Sequence, residues 1–516
     1  MKTTLCILFL LISLAIYAQP DQEYELVLEV KQGKLKGSYD SGIHSFKGIP
    51  FAQPPVGELR WKAPQDPLPW EGFREANAFG PRAMQRPFFD DMIFRSDGMS
   101  EDCLYLNIWT PAQKGDEKLP VLVYFYGGGL FTGDGSEYRY DGESMARKGI
   151  ISITINYRLN VFGFLSHPEL SKETSYGGSG NYGFMDQWKA LEWIQENIAV
   201  FGGDPEKITI AGESAGSVSV CAQMASPLSK DLLAGAIGSS GSIMGTLGAV
   251  EMKAGEKVGT QFQRNIGVTS LAELRALSAE DILAATSQMS PIAFAPTVDG
   301  YFFPKPVHEI FEAGEQAQVP LLLGWNSQEG YYPSVFQGKE VNLENYKAAL
   351  EKMFPGKGEE AYLAYYGSSE EELKQAASDL AGDNFTGFST WKWGEMHAKS
   401  GQPVYQYFYK HPRPALDENS PKGAVHSAEI EYAMGNLPTN QVYAWTDDDY
   451  QVSAIFQGFY FNFVSKGDPN GLGLPIWPAK NDRDHPYVMQ IDVKTKVEKE
   501  YYRERYLFLD KVYQEK

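Results

Sequence analysis

The chain has 516 residues, with 46 Lys and Arg against 66 Asp and Glu for a formal net charge of −20 at pH 7, and 13% of its residues are aromatic. This composition is typical of a globular protein and excludes a disordered, collagenous or low-complexity one. Because no cluster of Lys and Arg is present to hold phosphate groups, we expect no nucleic-acid partner.

The first predicted element is a signal peptide at residues 1–18. A basic start precedes an apolar run from Leu5 to Ile16, and Ala18 stands before a polar segment. This layout is typical of a secretory signal, and the apolar run is shorter than a membrane span. We therefore expect cleavage after Ala18, export to the periplasm or the extracellular space, and no membrane span in residues 19–516.

Several short apolar runs, rich in β-branched or aromatic residues and bounded by turns, predict strands. They are Val121 to Tyr126, Ile150 to Ile155, Lys207 to Ala211 and Val319 to Leu323. Continuous apolarity fits strands buried on both faces of a largely parallel sheet. A helical pattern runs from about Gly183 to Val200 between two of them, and strands that alternate with helices indicate an α/β architecture.

Polar helical stretches lie further along the chain, from Lys253 to about Ser290 and from Asn342 to Lys399. We interpret both as insertions over the sheet, where lids and pocket walls are often placed. We interpret the acidic run 447–449 as a solvated loop in preference to a metal site. No metal and no organic cofactor is predicted for the chain.

The pentapeptide from Gly212 to Gly216 contains Ser214 and matches G-x-S-x-G, a turn that lifts a nucleophilic serine between a strand and a helix. Such a match arises by chance in other proteins, but here it directly follows the predicted strand Lys207 to Ala211 and precedes a small apolar run. The small residues are required because the tight turn brings backbones too close for larger side chains. Ser214 is therefore the candidate nucleophile.

A serine of ordinary basicity needs a base and a cradle for the oxyanion elsewhere in the chain. Gly127-Gly128-Gly129 follows a predicted strand, and its backbone N–H groups suit an oxyanion; a flexible glycine turn is the alternative. The 7 His have spacings that exclude an H-E-x-x-H zinc site. The base should lie well past Ser214. His426 lies in a small-flanked, loop-like segment, and the pattern alone leaves it open beside His397.

Further motifs resemble the type B carboxylesterase family of the α/β-hydrolase fold, and the resemblance extends from about Glu23 to the C-terminus. Besides the glycine turn, the serine pentapeptide and His426, the matching segments are 46–52, 54–55, 100–107, 156–158, 180–187, 202–205 and 324–330. With the signal peptide, the chain resembles the exported bacterial members. The resemblance implies an α/β-hydrolase fold: a largely parallel central sheet, helices on both faces and helical insertions over the active site. It also implies a single domain, residues 19–516.

The resemblance implies which carboxylate completes the site. The family's acid lies in a G-x-N-x-x-E-G segment just after a strand, and here that residue is Glu329. Among 66 acidic residues, no local pattern would have selected it. Glu329 would hold His426 in the right tautomer, and His426 would take the proton of Ser214.

The resemblance also implies the surroundings of the serine. The N–H groups of Gly128, Gly129 and Ala215 would hold the oxyanion, and Glu213 would be an acidic residue lining the pocket. The alternative interpretation of Glu213 is a buried turn residue.

Two departures from the family pattern and one further match refine what the resemblance implies. In the family, the Cys that corresponds to Cys103 commonly forms a disulfide with an upstream Cys. In this chain Ala83 occupies the upstream position, so we expect Cys103 to be free. The loop from Arg86 to Ser100 lacks the Trp with which cholinesterase relatives hold a quaternary ammonium, so choline esters are not expected substrates. Arg60 and Glu101 match an ion pair of the family, which we interpret as structural.

We expect a serine carboxylic-ester hydrolase that acts on small-to-medium esters through an acyl-serine intermediate. Two alternatives stay open. One is a non-catalytic binding or adhesion relative of the same fold, which would not need the intact set of Ser214, Glu329 and His426. The other is a hydrolase of amide, lactone or carbamate bonds, because acyl transfer uses one machinery for all of them. The sequence leaves the natural substrate and the oligomeric state undetermined.

Overall fold

The structure of the protein is a computed structural model that describes residues 27–480 and 486–515. The predicted signal peptide and the cleavage after Ala18 lie outside the described residues. No helix in the described part of the chain is long and apolar enough to cross a membrane.

The strands of the described residues are, in chain order, β1 Val27–Val30, β2 Gly33–Lys36, β3 Ser38–Asp40, β4 Ile43–Pro50, β5 Phe73–Glu75, β6 Arg82–Ala83, β7 Met99–Ser100, β8 Tyr105–Thr110, β9 Leu119–Phe125, β10 Ile151–Ile155, β11 Gly203–Glu213, β12 Gly235–Ser239, β13 Val250–Glu251, β14 Thr297–Val298, β15 Leu321–Asn326, β16 Val404–Tyr409, β17 Tyr487–Ile491 and β18 Lys496–Lys499.

The α-helices of the same residues are α1 Glu143–Arg147, α2 Asn160–Phe164, α3 Pro168–Glu173, α4 Tyr182–Asn197, α5 Ala215–Ala225, α6 Met252–Ile266, α7 Leu271–Ala276, α8 Ala279–Ala285, α9 Val307–Glu312, α10 Pro333–Phe336, α11 Leu343–Met353, α12 Gly358–Ala364, α13 Glu370–Gly382, α14 Phe388–Ala398, α15 Ile430–Met434, α16 Asp447–Lys466 and α17 Arg503–Gln514.

Eleven strands form the central sheet, in the order β18-β17-β16-β15-β12-β11-β9-β10-β8-β4-β3. The strands from β17 to β10 in this order pair in parallel, and the flanking strands pair antiparallel. Every residue of β10, β12 and β15 is buried, as expected for strands covered on both faces. The predicted α/β-hydrolase architecture, with its largely parallel sheet, is confirmed.

The predicted elements fall close to the observed ones. The predicted strands Val121 to Tyr126, Ile150 to Ile155, Lys207 to Ala211 and Val319 to Leu323 correspond to β9, β10, β11 and β15. The helical pattern from about Gly183 corresponds to α4. The two polar stretches form α6 to α8 and α11 to α14. Parallel strands end at one edge of the sheet, so the loops after β9, β11, β15 and β16 meet there.

The acidic run 447–449 is the first turn of α16, so the interpretation as a solvated loop is wrong. Asp449 N–H donates to Thr446 Oγ1 at 3.4 Å, and the Asp449 carboxylate accepts from Thr446 N–H at 2.7 Å. This reciprocal cap satisfies orphan donors at the helix start, and carboxylates there interact favourably with the helix dipole. The acidic residues thus begin a helix.

The cysteine and ion-pair predictions also have structural outcomes. Cys103 and Cys221 are both buried and unpaired, so the prediction of a free Cys103 is confirmed. Arg60 Nε lies 2.6 Å from Glu101 Oε1, and the Arg60 side chain also donates to the Leu277 carbonyl at 2.8 Å. Arg60 therefore connects Glu101 to the segment after α7, in agreement with a structural role of the ion pair.

A second ion pair joins the loop after β10 to α4. Arg158 Nη2 lies 2.7 Å from Asp186 Oδ1, and Arg158 Nε lies 2.8 Å from Asp186 Oδ2. Both side chains are buried, with 3% and 0% of their surface exposed. Burial raises the pKa of Asp186, and Arg158 opposes that change by stabilising the carboxylate.

We expect Arg158→Met to lower the free energy of unfolding by about 3–5 kcal/mol, because it leaves the Asp186 carboxylate buried without its partner. The matched control is Arg147→Met, which removes the half-exposed pair with Glu143 and should cost less than about 1 kcal/mol. Denaturant titration followed by fluorescence measures both. Equal midpoints for the two variants would contradict the buried pair's importance.

Candidate active site

Ser214 lies in a sharp turn between β11 and α5. Its φ of 55° and ψ of −122° are rare for a residue with a side chain, so the turn is strained. The flanking glycines permit it: a Cβ on Gly216 would lie 2.0 Å from the Phe125 carbonyl oxygen, and one on Gly212 would lie 2.4 Å from the carbonyl carbon of Gly216. Ser214 N–H donates to the Ser239 carbonyl at 2.8 Å, which ties the turn to β12.

The structure brings three of the predicted site residues together although they are far apart in the chain. His426 Nε2 lies 2.9 Å from Ser214 Oγ, and His426 Nδ1 lies 2.6 Å from Glu329 Oε2. Both distances are those of hydrogen bonds. His426 lies in the loop between β16 and α15, and Glu329 follows β15. The neighbouring loops at the sheet edge therefore assemble a Ser–His–Glu arrangement.

Two further hydrogen bonds fix the second oxygen of the Glu329 carboxylate. Glu329 Oε1 accepts from Asn326 N–H at 2.8 Å and from Ser240 Oγ–H at 2.5 Å. Ser240 has a φ of 56° and directly follows β12. Sequence reasoning missed Ser240, since no motif marks it and only the sheet order places it beside β15.

The glycine turn after β9 passes directly over the serine. A Cβ on Gly127 would lie 3.1 Å from Ser214 Cβ. Gly128 and Gly129 have φ angles of 106° and 66°, in the region that favours glycine, and both line the cavity that contains Ser214. Ala215 is buried and begins α5, so its N–H has no acceptor within the helix.

Glu213 is buried beside His426. Its Oε1 lies 3.2 Å from His426 Nε2 and has no hydrogen-bond partner among the residues that the structure describes. Burial raises the pKa of Glu213 to about 8, and His426 acts in the opposite direction. Burial also disfavours the charged form of His426, but Glu213 and Glu329 outweigh it and raise the pKa of the imidazole. Glu213 and His426 therefore compete for a proton.

Glu429 is a third buried carboxyl near the site, and sequence reasoning missed it. Its Oε2 accepts from Asn326 Nδ2 at 2.6 Å, and burial raises its pKa to about 7. Only its position three residues after His426 could have drawn attention to it.

The other candidate base, His397, lies elsewhere. Its Nε2 lies 2.8 Å from the Val319 carbonyl oxygen, to which it donates, and burial lowers its pKa to about 4. His397 is therefore a neutral, buried residue of α14. Among the described residues, no group of three or more His, Cys, Asp and Glu side chains is placed to hold a metal ion.

A cavity of about 370 Å³ opens around Ser214. Its apolar lining residues include Phe89, Met92, Phe131, Val218, Leu247, Ile292, Phe385 and Ile430. Arg139, the arginine among the lining residues, is already paired, with Glu137 and with Asp91 at 3.1 Å. Phe385 belongs to the second predicted insertion. No residue of 253–290 lines the cavity, but Ile292, just after the first predicted insertion, does.

Comparison with known proteins agrees with this fold. A family model described as the carboxylesterase family matches residues 24–509. Fumonisin B1 esterase of Sphingopyxis macrogoltabida is 32% identical over 476 residues, which cover 90% of this chain and 86% of that protein. Para-nitrobenzyl esterase of Bacillus subtilis (strain 168) is also 32% identical over 476 residues, which cover 88% of this chain and 93% of that protein.

Solved structures are similar over almost the whole chain. A carboxylesterase of Geobacillus stearothermophilus has a TM-score of 0.82 and 32% identity, and the match covers 93% of this chain and 99% of that one. A PNB esterase has a TM-score of 0.78 and 30% identity, and the match covers 94% of this chain and 100% of that one. The fold and these similarities define a hydrolase of the α/β-hydrolase class. The chain belongs to the carboxylesterase family and is a carboxylic-ester hydrolase.

Proposed function

We propose that the protein hydrolyses small-to-medium carboxylic esters through an acyl-serine intermediate. Ser214 is the nucleophile, His426 the general base and Glu329 the carboxylate that orients the base. The observation that carries the proposal is the continuous hydrogen-bonded chain from Ser214 Oγ to His426 Nε2 at 2.9 Å and from His426 Nδ1 to Glu329 Oε2 at 2.6 Å.

This geometry supports an acylation step in which each of the three residues has a role. As Ser214 Oγ attacks the ester carbonyl carbon, neutral His426 takes its proton at Nε2, and Glu329 stabilises the imidazolium that forms. The carbonyl oxygen becomes an oxyanion, which the N–H groups of Gly128, Gly129 and Ala215 stabilise. His426 then gives the proton to the leaving alcohol. An acyl group remains on Ser214, and water activated by the same imidazole releases the acid.

Glu213 controls how much of His426 is available as a base. When Glu213 is protonated, the imidazole loses an anionic neighbour at 3.2 Å, and its neutral form is favoured. When Glu213 is ionised, the imidazolium of His426 is favoured instead. Glu213 and His426 therefore titrate as a coupled pair. The ionised carboxylate of Glu213 can also stabilise the imidazolium of His426 in the transition state.

Glu213→Gln should move the acidic limb of the kcat/KM profile to lower pH by about one pH unit. The sign follows from charge: the ionised Glu213 raises the pKa of His426, so its removal lets the imidazole stay neutral in more acidic solution. Initial rates with an aryl ester between pH 5 and 9 measure the limb. Glu312→Gln, at an exposed position of α9, is the control. An unchanged limb, or one moved to higher pH, would contradict the role of Glu213.

The cavity indicates neutral, apolar esters of modest size as substrates. Apolar side chains dominate its lining, and Arg139 is occupied by Glu137 and Asp91, which leaves no free cation for an anionic substrate among the described lining residues. The loop 86–100 supplies Phe89 and no Trp.

We also propose that residues 1–18 direct export and are removed, and that residues 19–516 act as one domain. The layout of the first eighteen residues supports export. A continuous apolar core that extends from Val30 to Val512 supports a single domain. The N-terminal peptide of the protein, recovered from the producing cells, should begin at Gln19; an intact Met1 would contradict cleavage.

An organophosphonate ester tests the proposed nucleophile. One equivalent should abolish ester hydrolysis, and peptide mass spectrometry should locate the phosphonyl group on Ser214, because the reagent mimics the tetrahedral intermediate. A large excess of substrate should slow the inactivation. Labelling of another residue, or full activity after complete labelling, would contradict the assignment of Ser214 as the nucleophile.

A further inference from the structure

A π-helical turn at Asp383–Gly387 connects α13 to α14 and reaches the cavity. A π turn contains one more residue than an α turn, so it rotates neighbouring side chains to new directions, and such turns are frequent at functional sites. Here, Asp383 at the start of the turn contacts α17, whereas Phe385 and Thr386 line the cavity. The turn thus links the C-terminal helix to the site.

Phe385 covers the base. Its ring centroid lies 4.9 Å from that of His426 at an interplanar angle of 62°, in an edge-on contact. The side chain is 45% exposed, so the ring stands at the mouth of the cavity and is not required by the core.

Two sets of contacts hold the turn. On one side, the buried Asp383 carboxylate lies 3.0 Å from Arg505 Nε and accepts from Tyr365 Oη–H at 3.0 Å. On the other side, Ser242 Oγ–H donates to the Ser389 carbonyl at 2.8 Å, just after the turn. Arg505 is itself held, since its Nη1 donates to Asp379 at 2.6 Å.

The chemistry of the base places a particular part of the substrate beside this ring. His426 must deliver a proton to the oxygen of the leaving alcohol, so the alcohol group lies against the imidazole when the tetrahedral intermediate collapses. A ring that packs on the imidazole at the cavity mouth is therefore placed where it would contact the alcohol group and limit its width.

We propose that Phe385 is a specificity-determining residue that favours esters of slender, unbranched alcohols over esters of bulky ones, and that Asp383 and Arg505 are positioning residues that hold its turn. The proposal rests on the proposed function, because it takes His426 as the proton donor to the alcohol. It concerns the selection among alcohols and not the catalytic step itself.

The test compares n-butyl acetate with cyclohexyl acetate, which share an acyl group and differ in the alcohol. In Phe385→Ala, the ratio of kcat/KM for n-butyl over cyclohexyl acetate should fall about tenfold, a typical value for steric selection in an apolar pocket. Phe385→Trp should raise the ratio. Phe73→Ala, which removes an exposed ring on β5, should leave it unchanged.

The positioning residues have their own readout. Asp383→Asn should lower the ratio by a smaller factor than Phe385→Ala, and in the Phe385→Ala background it should lower the ratio no further, because its effect passes through the ring. Arg505→Lys should retain more selectivity than Arg505→Gln. If Asp383 and Arg505 had a merely structural role, their variants would lower kcat/KM equally for n-butyl acetate and cyclohexyl acetate and would leave the ratio unchanged.

An unchanged or higher ratio in Phe385→Ala, with ester hydrolysis intact, would overturn the proposal, as would additive effects of Asp383→Asn and Phe385→Ala. Neither result would contradict the proposed ester hydrolysis through Ser214. That proposal fails on a different result, namely hydrolysis that does not depend on Ser214.

Discussion

Ser214→Ala and His426→Ala should each lower kcat for p-nitrophenyl butyrate by on the order of 10⁴- to 10⁶-fold. The double variant should be no slower than either single one. The nucleophile and the base act as one unit across the 2.9 Å hydrogen bond, so once either is lost, only substrate binding and the oxyanion donors remain to accelerate the reaction.

Matched controls are available on the surface of the fold. Ser287→Ala and His308→Ala remove the same side-chain types at exposed positions and should retain wild-type kcat. Circular dichroism and denaturant midpoints show whether each variant is folded. Additive losses in the double variant would mean that Ser214 and His426 contribute independently, against the proposed proton transfer.

Glu329→Gln should lower kcat by about 10⁴-fold while leaving KM nearly unchanged. The amide can place its oxygen toward His426 Nδ1 only by turning its NH₂ toward Asn326 N–H, which is itself a donor at 2.8 Å from the present oxygen. The variant therefore either loses the bond to His426 or selects the wrong tautomer. Steady-state kinetics at several pH values measure both constants.

Glu312→Gln again serves as the control, because the same change at an exposed position tests for an unspecific effect of charge. The buried neighbour Glu429 provides a second comparison. It does not contact His426 through a hydrogen bond in the described structure, so Glu429→Gln should be impaired far less than Glu329→Gln. Equal losses in the two buried variants would mean that the orienting acid is misassigned.

The sheet and the serine turn could be predicted because their signals are local. Continuous apolar runs marked β9, β10, β11 and β15, and the pentapeptide around Ser214 directly followed one of them. The steric reason for its glycines also acts over a few residues: a Cβ on Gly216 would meet the Phe125 carbonyl. Local patterns of this kind are visible without any knowledge of the fold.

The rest of the site depends on strand order, which local patterns do not contain. β15 and β16 are parallel neighbours, and a bridge between Gln328 and Val425 brings the loops that follow them together. That bridge sets Glu329 beside His426, 97 residues further along the chain. Family resemblance, and not spacing, therefore pointed to Glu329.

Sequence reasoning missed several residues of the site for one common reason. Ser240 reaches Glu329 only because β12 lies next to β15, and Glu429 becomes notable only when its burial is known. The π turn that carries Phe385 lies within a stretch whose composition predicts ordinary helix. Each of these positions is defined by long-range packing, which overrides local preference.

Capture of the acyl-enzyme is the most direct measurement of the central claim. The wild-type protein is mixed with p-nitrophenyl butyrate, quenched in acid within milliseconds, digested and analysed by mass spectrometry. We expect a butyryl group on the peptide that contains Ser214, formed at a rate at least equal to kcat, and no such group in Ser214→Ala. Rapid hydrolysis without a butyryl group on Ser214, or with the group on another residue, would contradict the proposed mechanism.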